Sequence, residues 1–158
     1  MAIQYPKVRQ YTTLNDTLLD LKKQVRASYA FAKEFLPYGI NTPRELFDYL
    51  KSITTYEPDP DKNEVLQRFQ TLVGENNFHG TPGAGDCDCF TIAALASFHA
   101  LGFKNPVIVL VGRNKKYPCH IYAGLEMPGH KYLPFDLTEG EIGHERYYPY
   151  KQIIAFGY

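Results

Sequence analysis

The sequence predicts an α+β fold with helices first and strands after, in which one buried helix starts at a cysteine and packs on an antiparallel sheet. Three observations carry this expectation. The first third of the 158-residue chain repeats apolar side chains at helical spacing. A Gly85-Asp86-Cys87-Asp88-Cys89 turn runs straight into a helix-length segment that is apolar almost all round. β-branched runs separated by short turn-rich gaps then occupy the second half. Helical runs followed by strand runs are the order of an α+β domain. One domain over residues 1–158 is expected, with a helical part at 14–73 and a core bearing the chemistry at 74–158.

The elements follow in order. After Asn15 and Asp16, the residues Leu18, Leu21, Val25, Tyr29 and Ala32 form one apolar stripe, which predicts a single helix ended by Pro37 and Gly39. Thr42-Pro43-Arg44-Glu45 starts a second helix: Thr42 caps, Pro43 fits the first helical position, and Glu45 reaches back toward the cap. Leu46, Phe47, Leu50 and Ile53 make its core face. Glu57-Pro58-Asp59-Pro60-Asp61 reads as a stiff loop leading to a third helix over residues 62–73, with Val65, Leu66, Phe69 and Val73 inward and Gly74 just past its end. His79-Gly80-Thr81-Pro82-Gly83-Ala84-Gly85 is a glycine-rich approach to the central helix at 87–101, which Gly102 stops. Strands are expected at 107–111, 120–125, 131–136 and 153–156, the first three forming a meander.

Composition narrows the function. A hydrophobic fraction of 44%, with 13 Tyr and 10 Phe, suffices for a core. Lys plus Arg equals Asp plus Glu, which removes any overall electrostatic case for nucleic acid or an anionic membrane as partner. The short basic run Arg113-Asn114-Lys115-Lys116 reads as a solvated hairpin turn. Residues 1–7 lack a signal-peptide core, and no segment approaches the roughly 20 apolar residues of a membrane helix, so a soluble, cytoplasmic protein is expected. Three cysteines rule out a full disulfide framework, and free thiols fit a reducing compartment. A phage-encoded, virion-associated protein made there would carry the same signature.

The chemistry lies in three segments. Asp86 suits a helix cap, which puts Cys87 in the first turn, where unpaired N–H groups favour a thiolate over the free thiol's pKa of about 8.5. Those N–H groups could also face an oxyanion, an interaction worth roughly 3–4 kcal/mol per donor. In Cys119-His120-Ile121-Tyr122-Ala123, strand alternation puts His120 and Tyr122 on one face and Cys119 and Ile121 on the other. His120 can take and return a proton, and Asp136, ending the next strand, can hold its second nitrogen.

Together, Gly85-Asp86-Cys87-Asp88, the helix ending in Leu101-Gly102, His120-Ile121-Tyr122-Ala123 and Phe135-Asp136-Leu137-Thr138 resemble the transglutaminase-like cysteine protease superfamily. The spacing of 33 residues from Cys87 to His120 and 16 more to Asp136 is similar to that of its small bacterial and phage members. The likeness spans about residues 53–138, where 53–61 resembles the family's I-x-Y…D approach. Two positions depart: Tyr132 stands near the family's common Trp, and Cys89 replaces its frequent Asp. The resemblance implies a papain-like core, a Cys87-His120-Asp136 triad and a thioester intermediate. It implies a peptide or protein substrate attacked at an amide or glutamine side chain, and no metal or organic cofactor. It also implies an oxyanion side chain upstream, for which Tyr56, Gln70 and His79 all remain open; Asp86 and Tyr122 are further cleft candidates.

The same residues admit rival readings. Cys87, Cys89, Cys119 and His120 have the composition of a Cys₃His zinc site. Adjacent strand residues face opposite ways, however, and the two helical cysteines lie about 200° apart around the axis, which argues against it. Cys89 and Cys119 read as ordinary packing residues, as Cys87 would without its Gly-Asp-Cys-Asp setting. His120 as a core histidine and Asp136 as a turn residue are the bland alternatives. His79, His99, His130 and His144 suggest surface or packing roles. The tyrosines of Arg146-Tyr147-Tyr148-Pro149-Tyr150 fit either packing or cleft lining. The reading carried forward is a thiol-dependent hydrolase or peptidase. Acyl transfer to an amine, or a non-catalytic phage or accessory binding protein on the same fold, are its alternatives.

Overall fold

Local signals place the two best-capped helices. The Thr42 hydroxyl accepts from Glu45 N–H at 3.2 Å and donates to Glu45 Oε1 at 2.9 Å, with Pro43 at the first helical position. Asp86 caps the central helix by accepting from Cys89 N–H at 3.5 Å. Gly102, at φ 73°, closes its other end, and Phe103 N–H bonds Phe98 O at 2.9 Å.

The computed structural model describes residues 8–9, 14–59, 64–115, 118–129 and 131–158. In order these form β1 (Val8–Arg9), α1 (Leu14–Arg26), α2 (Tyr29–Phe35), α3 (Pro43–Ile53), β2 (Thr55–Tyr56), β3 (Glu64–Val65) and α4 (Phe69–Leu72). Then follow β4 (Ala84–Gly85), α5 (Cys87–Leu101), β5 (Pro106–Gly112), β6 (Pro118–Met127), β7 (Lys131–Phe135) and β8 (Tyr150–Ala155). The fold is α+β, as expected. His130, Lys116 and residues 60–63, where the third helix was expected to begin, lie outside the described residues.

A four-stranded antiparallel sheet runs in the order β7-β6-β5-β8, so β5, β6 and β7 form the expected meander and β8 closes against β5. Its inner face presents Ile108, Leu110, Ile121, Ala123 and Phe135 to α5. Helices α1, α2 and α4 cover α5 elsewhere. Every residue of α5 from Asp88 to Phe98 is buried, which is why its sequence shows no polar face. The opposite sheet face carries Val107, Val109, Val111 and Tyr122 under Tyr132 and Tyr148.

Two helix expectations are corrected. The first apolar stripe is buried as one face, yet the chain breaks at Ser28 into α1 and α2. The Ser28 hydroxyl donates to Gln24 O at 2.7 Å and accepts from Phe69 N–H at 3.0 Å, so a buried side chain serves backbone groups of two segments and interrupts the helix. The third helix shrinks to α4. Val65 pairs with Val8 and gives its N–H to Asp59 Oδ2 at 2.8 Å. The fully buried Gln67 donates to Ala84 O at 3.2 Å and accepts from Phe78 N–H at 2.9 Å. These bonds hold 64–68 out of the helix, although Val65, Leu66 and Phe69 remain buried as expected.

The glycine-rich approach has a steric reason. At Gly83, with φ 89°, a Cβ would lie 2.1 Å from Ile53 O. Only glycine lets β4 lie this close to the end of α3. That contact seats β4 parallel to β2, with Thr55 opposite Ala84 and Tyr56 opposite Gly85.

Candidate active site

Cys87 is the first residue of α5 and is partly exposed. Its sulfur accepts a hydrogen bond from the N–H of Ile121, and Thr91 one turn on donates to Ile121 O at 3.4 Å. Pairing of β6 with β7 ends at Ala123 opposite Phe135, so the edge of β6 beyond that point is open. The first turn of α5 satisfies it. Cys87 therefore sits at the sheet's edge, at the residue after His120.

The thiol is not the preformed thiolate that the helix start suggested. Burial pushes the Cys87 thiol up, and the Asp88 and Asp86 charges push it further; only the Ile121 N–H pulls it down. Desolvation and two carboxylates outweigh the unpaired N–H groups of the first turn. Cys89 is buried, and its thiol donates to Val65 O at 3.4 Å, a packing role as expected.

His120 and Asp136 meet directly. His120 Nε2 lies 2.6 Å from Asp136 Oδ2, and Asp136 is 4% exposed. The other oxygen, Oδ1, accepts from Thr138 N–H at 3.0 Å and from the Thr138 hydroxyl at 2.7 Å. With Nε2 given to the carboxylate, Nδ1 is the ring's basic nitrogen. The Cys87 sulfur takes its hydrogen bond from Ile121 N–H, one residue beyond His120, whose ring lies beside Tyr122 on the sheet face opposite the one that packs on α5.

His120 and Tyr122 share a face as alternation predicted, their rings 5.3 Å apart. Alternation fails at Cys119. Val111 pairs with His120 and Gly112 with Pro118, so Cys119 is the extra residue of a bulge, a device that re-aims the neighbouring side chain. Cys119 is exposed, and Tyr148 packs on the His120 face. Tyr148 packs on the Val107, Val109, Val111 and Tyr122 cluster, whereas Tyr147 is exposed.

The other candidates separate. Tyr122 gives its hydroxyl to Glu145 Oε2 at 2.7 Å, where Tyr132 also donates, while Lys151 binds Glu145 Oε1 at 2.6 Å. Gln70 Nε2 bonds Ala27 O at 3.1 Å. His79 is not a surface residue: its side chain is 5% exposed and its ring lies between Asp59 Oδ1 at 3.3 Å and Glu57 Oε1 at 3.5 Å. His99 stacks on Tyr29 at 3.8 Å, and His144 bonds Glu139 at 3.2 Å. Arg113, Asn114 and Lys115 form an exposed turn, as expected.

Asp59 enters here as a residue the sequence reading missed. It hydrogen-bonds Asp86. Burial first, then the Asp59 charge and this bond, push the Asp86 carboxyl up to about 7 against the opposing bonds to Cys89. Once the pH passes the ordinary Asp range, the folded state keeps a proton that the unfolded chain has lost. The pair's contribution to stability is therefore complete below that range and is lost as pH rises through about 7. Asp59→Asn retains an acceptor for Val65 N–H and offers Asp86 an amide donor. Its melting temperature is expected to exceed that of wild type by a few degrees near pH 8, with the gap closing toward about pH 4. A gap that does not change with pH would show that Asp86 does not keep its proton because of Asp59.

Among the described residues, no group of three or more His, Cys, Asp or Glu is arranged to hold a metal ion, and no helix is long and apolar enough to cross a membrane. Thr138 and Glu145 are the other site neighbours that sequence reasoning did not single out. Thr138 had a signal, because Asp-x-Thr at a strand end is a local turn in which the carboxylate accepts two residues on. Glu145 and Asp59 had none, since their partners are distant in sequence. Comparison with known proteins found no matching family model, no matching curated protein and no matching solved structure.

Proposed function

We propose that this protein is a thiol-dependent hydrolase or peptidase with a papain-like, transglutaminase-like core, acting on an amide of a peptide or protein. The observation that carries the reading is the His120–Asp136 pair at 2.6 Å, with the carboxylate buried and the imidazole partly exposed, set one residue from where the Cys87 thiol meets β6. In this reading Cys87 Sγ attacks the carbonyl carbon, its proton passes to His120 Nδ1, and the carbonyl π pair moves to oxygen. Collapse expels the amine, which takes the proton from Nδ1 and leaves a thioester. Water then attacks, His120 takes its proton, and the thiol is released with the carboxylic acid.

The raised thiol pKa gives the base a definite task. With Cys87 neutral at rest, His120 removes the proton as the S–C bond forms. Asp136 keeps Nδ1 free of a proton at that moment and stabilises the imidazolium that follows.

The test is acylation by p-nitrophenyl acetate, followed by peptide mapping. An acetyl group is expected on Cys87 well ahead of the exposed Cys119, with none at that position in Cys87→Ala and a large loss in His120→Ala. Labelling of Cys119 first would remove the nucleophile and favour a binding or accessory role. Acyl transfer to an amine uses the same residues; a primary amine added to the assay would then yield an amide in place of the free acid.

A further inference from the structure

We infer that Lys51 is a positioning residue for the His120–Asp136 pair: its ammonium group, bonded to Leu137 O, holds the turn that bears Asp136 against α3. This rests on the thiol-acylation reading above and adds to it a residue that acts through Asp136. The contact is direct, with Lys51 Nζ donating to Leu137 O at 3.1 Å across 86 residues of sequence.

Phe47 and Lys51 lie one turn apart on α3 and so share a face. Phe47 meets the Phe135 ring edge-on at 5.2 Å, and Lys51 reaches Leu137 O. One face of α3 thus grips the residue before Asp136 and the residue after it. Between those two points Asp136 turns its carboxylate to His120 Nε2 at 2.6 Å. The same helix reaches the nucleophile's side. It runs on into β2, whose Thr55 and Tyr56 pair with Ala84 and Gly85, and Asp86 alone separates that strand from Cys87. The approach to Cys87 and the turn bearing Asp136 are therefore both tied to α3.

A lysine in the last turn of a helix can serve the helix end instead. Here Ser52 and Thr54 already do so, their hydroxyls donating to Tyr49 O at 2.5 Å and Leu50 O at 2.7 Å. The turn, by contrast, needs an outside anchor. Pairing of β6 with β7 ends at Phe135, so beyond it the ladder no longer positions the chain. The bonds from Thr138 to Asp136 Oδ1 are internal to the turn. They fix the shape of the turn and not its place relative to β6. Lys51 supplies that anchor two residues past the last ladder pair.

Titration of the His120 ring, followed by NMR, separates positioning from two simpler roles. The groups that face the ring are Asp136 and Thr138 beyond β7, Tyr122 on β6 and Tyr148 before β8, and Asp136 is the anion among them. A carboxylate beside the ring favours the imidazolium, so a displaced Asp136 lowers the titration midpoint. Loss of a nearby positive charge would raise it, and loss of a merely structural lysine would leave it unmoved. Lys51→Met keeps the stem and removes the donor. It is expected to lower the midpoint by about 0.5–1 pH unit and to slow acylation of Cys87 by p-nitrophenyl acetate by about 10-fold. Lys51→Arg, which retains a charged donor, is expected to restore both. A midpoint unchanged or raised in folded Lys51→Met overturns the inference and leaves the thiol reading standing. Wild-type protein that never acylates at Cys87 removes the hydrolase reading instead, and the ring titration still decides whether Lys51 holds the pair.

Discussion

Asp136→Asn is expected to slow acylation of Cys87 by about 10³–10⁴-fold while leaving the fold intact. The reason lies in how Thr138 holds the carboxylate. Its N–H and hydroxyl both donate to Oδ1, at 3.0 and 2.7 Å. An asparagine must put its carbonyl oxygen there, so its NH₂ group faces His120 Nε2. A donor facing Nε2 makes that nitrogen the acceptor and moves the ring proton to Nδ1. Nδ1 then has no lone pair for the Cys87 proton. Hydrogen-bond count and volume hardly change, so the circular dichroism spectrum and melting temperature are expected to stay close to those of wild type. Acylation within about twofold of wild type would show that Nδ1 of His120 is not the base.

Phe135→Ala is expected to cost about 3–5 kcal/mol of folding stability, read from the midpoint of urea unfolding. Phe135 is 1% exposed and meets Phe47 and Phe98 edge-on, at 5.2 and 4.9 Å. It joins α3, α5 and the sheet in one contact, and rigid rings around it cannot close the void that alanine leaves. Phe135 also precedes Asp136, so looser packing there is expected to lower acylation even where the variant remains folded. Phe135→Leu should recover most of the stability. A loss below about 1 kcal/mol would mean that these three rings do not form the centre of the core.

The Asp59→Asn experiment bears on the other side of Cys87, where burial and the Asp88 and Asp86 charges hold the thiol proton on. The bulge at Cys119 belongs to the same design, because it lies immediately before the residue whose ring must point toward Asp136.

What the sequence determined by itself was whatever depends on neighbours in the chain. Thr42 and Asp86 cap helices with bonds three residues long, and Gly102 ends α5 through its own left-handed φ. α5 could be placed because its sequence is apolar on every side. The meander could be placed because short gaps leave antiparallel pairing as the simple solution. His120 and Asp136 followed, since a strand, a tight turn and a strand bring them side by side.

The tertiary structure decided everything that hangs on distant partners. Periodicity passed through Ser28 without a mark; the break arises because its hydroxyl bonds Phe69 N–H, 41 residues away. Helical spacing at 62–73 was real as a burial pattern, but Gln67 reaches Ala84 and Phe78, and those bonds outweigh a weak local propensity. The thiolate expected at a helix start yields to burial and to Asp86 and Asp88, because desolvation is a property of the packed molecule and not of a turn. Asp59 meets Asp86, and Glu145 meets Tyr122, across 27 and 23 residues. No local rule reads such pairs, because the entropy of closing those loops is offset only once the whole core has formed.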